Sequence, residues 1–201
     1  MSLRPPSPLA ESVPTSPGEF SPEERELLVR LAHESIESAF EQREISVDPP
    51  GPHFAEPRGV FTTLYLQGAL RGCVGYVLPT SSLYRAVAET ARAAAFEDGR
   101  FYPVSAEEAP DLKIELSVLS IPKPIDADEL EIGRHGLLIT LAGRRGLLLP
   151  QVPIEHNWDR VTFLEQTCHK AGLPRDAWQK GAQIEAFTAE VFGEKSDSNR
   201  L

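Results

Sequence analysis

The chain has 201 residues, 41% of them hydrophobic, which suits one globular domain or two small subdomains around a real core and argues against disorder overall. Thirty acidic residues against 20 basic give a net charge of -10, so nucleic acid, which needs a basic face, is not an expected partner. No apolar run approaches the roughly 20 residues that span a bilayer. The first residues also lack the apolar centre of a secretory signal, so the expectation is a cytoplasmic protein with no membrane partner.

Residues 1–20, with prolines at 5, 6, 8, 14 and 17, are predicted to be a disordered extension, too poor in apolar side chains to offset the entropy of ordering. The folded unit is placed at 21–193, and the polar tail 194–201 is expected to fray. Ser21-Pro22-Glu23-Glu24 reads as a helix start, with Ser21 as N-cap, Pro22 in the first helical position and Glu24 completing a capping box. Leu27, Leu28, Leu31, Ala32, Ile36, Ala39 and Phe40 then follow at helical spacing, and the Pro/Gly cluster at 49–52 ends the region as a loop. Gly59 to Leu66 and Ala69 to Val77 are rich in strand formers and flank Gln67-Gly68, which predicts a β-hairpin. A helix with an alanine-rich face is predicted from Ser81 to Glu97. Asp98 to Pro103 reads as a turn and an extended exit.

Lys113 to Leu119 alternates, with Ile114, Leu116 and Val118 on one face and Lys113, Glu115 and Ser117 on the other. Gly136 to Leu141 and Gly146 to Leu149 flank a Gly143-Arg144-Arg145 turn and predict a second hairpin. Trp158 to Ala171 is predicted as a helix closed by Gly172, with Val161, Leu164, Cys168 and Ala171 on its core face. A short helix is predicted within 174–179 and a single last strand from Gln183 to Phe192. Hairpins mixed with helices, without regular βαβ alternation, define an α+β fold with a mainly antiparallel sheet and helices packed on it.

The segment Leu70-Arg71-Gly72-Cys73-Val74-Gly75 carries the most chemistry. Glycine lets a strand bend or approach another group closely, and residues two apart on a strand share a face, so Arg71 is expected beside Cys73. A guanidinium beside a thiol favours the reactive thiolate. Cys168 lies on a core face, neither cysteine belongs to a CxxC pair, and no metal is expected. Glu155, His156 and Asp159 match no strong metal-ligand spacing, and capping of the following helix explains Asp159 more simply. His33 and His53 read as surface residues, and Arg144-Arg145 is too small to be a nucleic-acid patch.

Taken together, these residues resemble the AMMECR domain family, whose bacterial members are called AmmeMemoRadiSam system protein A. Its Leu-Arg-Gly-Cys-Ile-Gly signature stands here as Leu70 to Gly75, with Val74 in the isoleucine place. Asp98-Gly99-Arg100-Phe101 with Pro103, Glu115 to Leu119, His135-Gly136-Leu137, Leu148 to Val152, Glu155 with Trp158-Asp159, and Cys168 to Leu173 continue in the family's order, over about residues 23–192. The resemblance implies two unequal subdomains, each a sheet with helices. It also implies a Memo-type protein and a radical S-adenosylmethionine protein as partners. It supplies no reaction.

Cys73 is either a nucleophile or a small strand residue. Arg71 either anchors an anionic group or pairs with an acid such as Asp98 or Glu115. His135 is the candidate base if it meets Cys73 in space. The catalytic candidates are therefore Cys73, His135 and Arg71, and the substrate-binding candidates Arg71, Gly72, Gly75, Asp98, Arg100 and Glu115. Two functions are open: a thiol-dependent enzyme or component of a modification system, and a noncatalytic protein-binding adaptor. The sequence names no cofactor and no oligomeric state.

Overall fold

The first hairpin turns on Gln67 and Gly68, whose φ values of 51° and 80° are both positive. That geometry matches the right-handed twist of the flanking strands β1 (Val60–Leu66) and β2 (Ala69–Tyr76). Strand β3 (Leu112–Leu119) pairs antiparallel with β1 on its other side, and β8 (Ala189–Gly193) completes a sheet in the order β2-β1-β3-β8. The computed structural model describes residues 18–194; most of the predicted extension and the tail from 195 lie outside the described residues.

Two helices cover one face of this sheet. Helix α1 (Pro22–Glu41) begins with the expected capping box, in which Ser21 and Glu24 satisfy each other's backbone N–H groups. Helix α3 (Leu83–Phe96) starts at Ser82, whose hydroxyl accepts from Arg85 N. Between them, α2 (Pro52–Ala55) adds a single turn to the predicted loop. The strand residues Val60, Leu64, Ile114, Leu116 and Val118 are buried against Leu28, Ile36, Val87 and Ala91 of the helices. Full burial of each larger side chain is worth roughly 1.5–3 kcal/mol, so this face supplies most of the first core. The polar groups it takes with it are paired: Thr62 meets Thr90 at 2.8 Å, and Ser35 Oγ donates to Ala88 O at 2.7 Å.

The second sheet runs β4-β7-β5-β6, from β4 (Lys123–Pro124), β5 (Gly136–Leu141), β6 (Arg144–Leu148) and β7 (Gln183–Phe187). After the short α4 (Val152–Glu155), helix α5 (Arg160–Lys170) packs on it, and Leu137, Ile139, Phe163, Leu164 and Cys168 form a separate, smaller core. Two antiparallel sheets with their own helices and unequal cores are the α+β architecture expected. No helix of the described residues is long and apolar enough to cross a membrane.

Several local readings are corrected. The last strand is two strands in different sheets, broken at Thr188. Ser120 N donates to Thr188 O and Thr188 N donates to Ser120 Oγ, both at 2.9 Å, so tertiary bonds divide a continuous run of strand formers. Arg144 and Arg145 lie in β6, because the turn is Ala142-Gly143 with both φ values positive. Val161 is exposed in the first turn of α5, which starts two residues later than expected with Asp159 as its cap. Glu19 and Phe20 belong to the folded part: Phe20 is buried on the first core, and Glu19 bonds to Arg58. Glu194 is held as well, by His33 and Ile114 N. His53 also has partners, Glu24 first and Glu19 second, which raise its affinity for a proton.

Helix α3 approaches β2 at Gly72, where a Cβ would stand 2.2 Å from Ala94 O. Gly72→Ala is therefore expected to cost about 1–3 kcal/mol in chemical denaturation, because a backbone carbonyl must move. Gly99→Ala, with no neighbour within 4 Å, is the control and should change stability by less than about 0.5 kcal/mol.

Candidate functional site

In β2, Gly72 pairs with Leu64 but Leu70 pairs with Tyr65, so Arg71 is the extra residue of a β-bulge. A hairpin continuing without the bulge from the Leu66–Ala69 pair would set Cys73 opposite Thr62, which is fully buried on the helix side. The one-residue slip instead sets Cys73 opposite Thr63, on the sheet face the helices leave open. The glycines fit the same account. Gly72 lets α3 close in, and at Gly75 a Cβ would strike the Phe61 ring.

The bulge redirects Arg71. Its Nε and Nη2 donate to the two carboxylate oxygens of Glu108 at 3.1 and 2.9 Å, and Nη1 and Nη2 reach Tyr102 O and Pro103 O. Four donors are thus spent within the chain, and the partner is Glu108 rather than Asp98 or Glu115. Of the two roles open for Arg71, these contacts are those of an ion pair, and they fasten the loop that follows α3.

A different arginine stands at Cys73. Asp98 Oδ2 accepts the Cys73 backbone N–H at 2.8 Å, and Arg100 Nη2 donates to Cys73 O at 3.3 Å. Asp98 also holds Arg100 through Nε at 3.0 Å and Nη2 at 2.7 Å. The pair takes the place of a neighbouring strand on the outer edge of β2. Arg100 first, then the Cys73 N–H, keep the Asp98 carboxyl far below the usual carboxylate range. Asp98 above all, with a contribution from Cys73, holds the Arg100 guanidinium above its ordinary value.

The Cys73 thiol itself is half-buried, and Thr63 Oγ1 donates to Sγ at 3.3 Å. Across the sheet the same row continues to Glu115 on β3, which pairs with Thr63. Tyr65 stands near this row, and burial, with Glu115 and Cys73 behind it, raises its phenol. Cys168, by contrast, is sealed in the second core, where burial pushes its thiol up.

His135 is elsewhere. It precedes β5, accepts from Glu131 N at Nδ1, and lines a cleft between the two sheets. Among the described residues it shares neither a hydrogen bond nor a cleft with Cys73, so the condition on which it was the candidate base, that the two meet, is not seen here. Asp98, Arg100, Cys73 and Glu115 do gather along one sheet. Thr63 and Glu108 were missed. Thr63 could be found only with the bulge in hand, and Glu108 lies in a plain acidic stretch. Among the described residues no three His, Cys, Asp or Glu side chains cluster as metal ligands would.

A two-sheet α+β protein whose Leu-Arg-Gly-Cys strand is clasped by an Asp-Gly-Arg turn is the class these features define. The AMMECR1 family profile matches residues 29–192, and the chain belongs to that family. A Methanopyrus kandleri relative, "Protein MK0488", is 44% identical over 185 residues, covering 86% of this chain and 89% of its own length. A Methanosarcina acetivorans relative is 42% identical over 190 residues, covering 89% and 95%. The crystal structure of uncharacterized protein PH0010 from Pyrococcus horikoshii superposes with a TM-score of 0.63 at 41% identity, covering 85% of this chain and 91% of that one.

Because Asp98 bonds as a carboxylate, its contribution to stability is complete above its ordinary value of 3.8 and is lost progressively as pH falls from there through its much lower folded value. Asp98→Asn should lower the thermal midpoint by a few degrees at pH 7. The gap to wild type should stay constant down to about pH 4 and narrow below it, as differential scanning calorimetry across pH will show.

Proposed function

We propose that this AMMECR1-family protein is a thiol-dependent enzyme, or the thiol-bearing component of a modification system, with Cys73 as its nucleophile. The observation that carries the reading is the setting of the sulfur. It lies on the open sheet face, accepts a hydrogen bond from Thr63, and stands beside an arginine that Asp98 holds in place. Arg100 has a further N–H pair on Nη1 and is exposed, so it takes over the anion-anchoring role first sought at Arg71. Glu115 and Tyr65 are the groups on the same face that could orient a substrate. The resemblance to AmmeMemoRadiSam system protein A is what supports a Memo-type protein and a radical S-adenosylmethionine protein as the other components.

The adaptor reading has one observation in its favour. Leu70, Tyr76, Leu78 and Tyr102 are large apolar side chains exposed along or near β2, Tyr102 to 91%. In that reading the Asp98–Arg100 clasp only shapes a docking edge, and the sulfur has no chemistry.

Alkylation of the native protein by iodoacetamide, followed by mass spectrometry, separates the two. Cys73 should label at least about tenfold faster than the sealed Cys168. Arg100→Ala and Thr63→Val should each slow Cys73 several-fold. Labelling of Cys73 as slow as that of Cys168, or indifferent to both substitutions, leaves the adaptor reading standing and removes the nucleophile.

A further inference from the structure

The chain passes between its two sheets twice, at Ser120–Pro122 and at Thr188, and the reciprocal Ser120–Thr188 bonds pin the crossings together. Beside them lies a cleft of about 400 Å³, within the size range of small-molecule sites and at the kind of subdomain boundary where such sites form. The function proposed above makes no use of it.

Its polar lining is almost entirely donor. Lys123 is exposed and makes no ion pair among the described residues. His135 accepts from Glu131 N at Nδ1, so its proton is on Nε2; burial lowers its affinity for a second proton and leaves it a neutral donor. The Ser120 hydroxyl, already accepting from Thr188 N, still has its own hydrogen to give. Arg58 is 4% exposed, and its buried Nε meets no acceptor among the described residues. Among the described residues Glu19 is the one acid lining the cleft, and it is already engaged by the Arg58 guanidinium. Ile121, which is exposed, and Ile125 supply apolar wall.

Buried or converging donors without acceptors call for an anion, and the wall calls for a compact apolar body behind it. We propose that this cleft binds a small organic anion, a carboxylate or phosphate monoester, with its charged group on Lys123 and His135 and its apolar part against Ile121 and Ile125. Glu19 closes the Arg58 end, so the cleft's own carboxylate limits how strongly an anion is held. The site is independent of Cys73.

Isothermal titration calorimetry with benzoate and with phenyl phosphate tests it, benzamide serving as the uncharged control. Saturable one-site binding is expected for an anion and not for benzamide, and the tighter of the two anions identifies the headgroup. Lys123→Ala and His135→Ala should each weaken binding roughly tenfold, the loss expected for one charge-assisted hydrogen bond. Lys180→Ala, which removes the same charge from a lysine paired to Asp176, should leave it unchanged. Glu19→Gln should tighten binding. The His135 ring resonances should shift on titration. No saturation by either anion at tens of millimolar, equal binding of benzamide, or an affinity indifferent to Lys123→Ala overturns the proposal.

Discussion

One inserted residue governs the arrangement of this protein. Arg71 has no partner on β1, and the bulge it forms shifts the rest of β2 by one position. Because strand side chains alternate with period two, that single step moves Cys73 from the helix-covered face to the open one. A bulge costs ladder hydrogen bonds locally. Here the residue that causes it also holds it, through Glu108 and the carbonyls of Tyr102 and Pro103. The loop fastened by Arg71 is continuous with the Asp98-Gly99-Arg100 turn that caps the outer edge of β2. The two segments that resemble the family signature are thus two halves of one joint.

The joint explains how an edge strand can carry a glycine-rich, weakly packed segment. Gly72 and Gly75 remove side-chain contacts that would steady β2, but Gly72 admits the backbone of α3, and the Asp98–Arg100 pair satisfies the outward N–H and C=O of Cys73. The edge is closed by side chains instead of a further strand, which leaves the face beside it open. That combination of a fixed backbone and an accessible side chain is what the proposed nucleophile would need. Some distance away, the two crossings between the sheets create a second feature, a donor-lined cleft at the boundary of the two cores.

Much of the scaffold was legible in the sequence for local reasons. The Ser21/Glu24 box, the Gln67-Gly68 turn and the alternation from Lys113 to Leu119 each act within a few residues, so their signals survive in any context. The bulge was not legible, because its cause is a contact 37 residues away between Arg71 and Glu108. The break at Thr188 was hidden for the same reason: Phe187-Thr188-Ala189 has no glycine or proline, and the division is imposed by Ser120 from the other crossing. At the site, the residue types were readable but their pairing was not. The arginine that meets Cys73 is Arg100, whereas Arg71, expected beside it, turns to Glu108. His135, grouped with Cys73 by its chemistry, is carried by the other sheet. Arg58 drew no notice because Glu-Pro-Arg-Gly reads as an ordinary loop.

The exposure of Cys73 rests on the register of the first hairpin, and nuclear Overhauser contacts between the α-protons of β1 and β2 report that register directly. The bulged strand predicts a short cross-strand contact between Thr63 and Cys73. A contact between Thr62 and Cys73 in its place would put the sulfur under the helices and contradict the account.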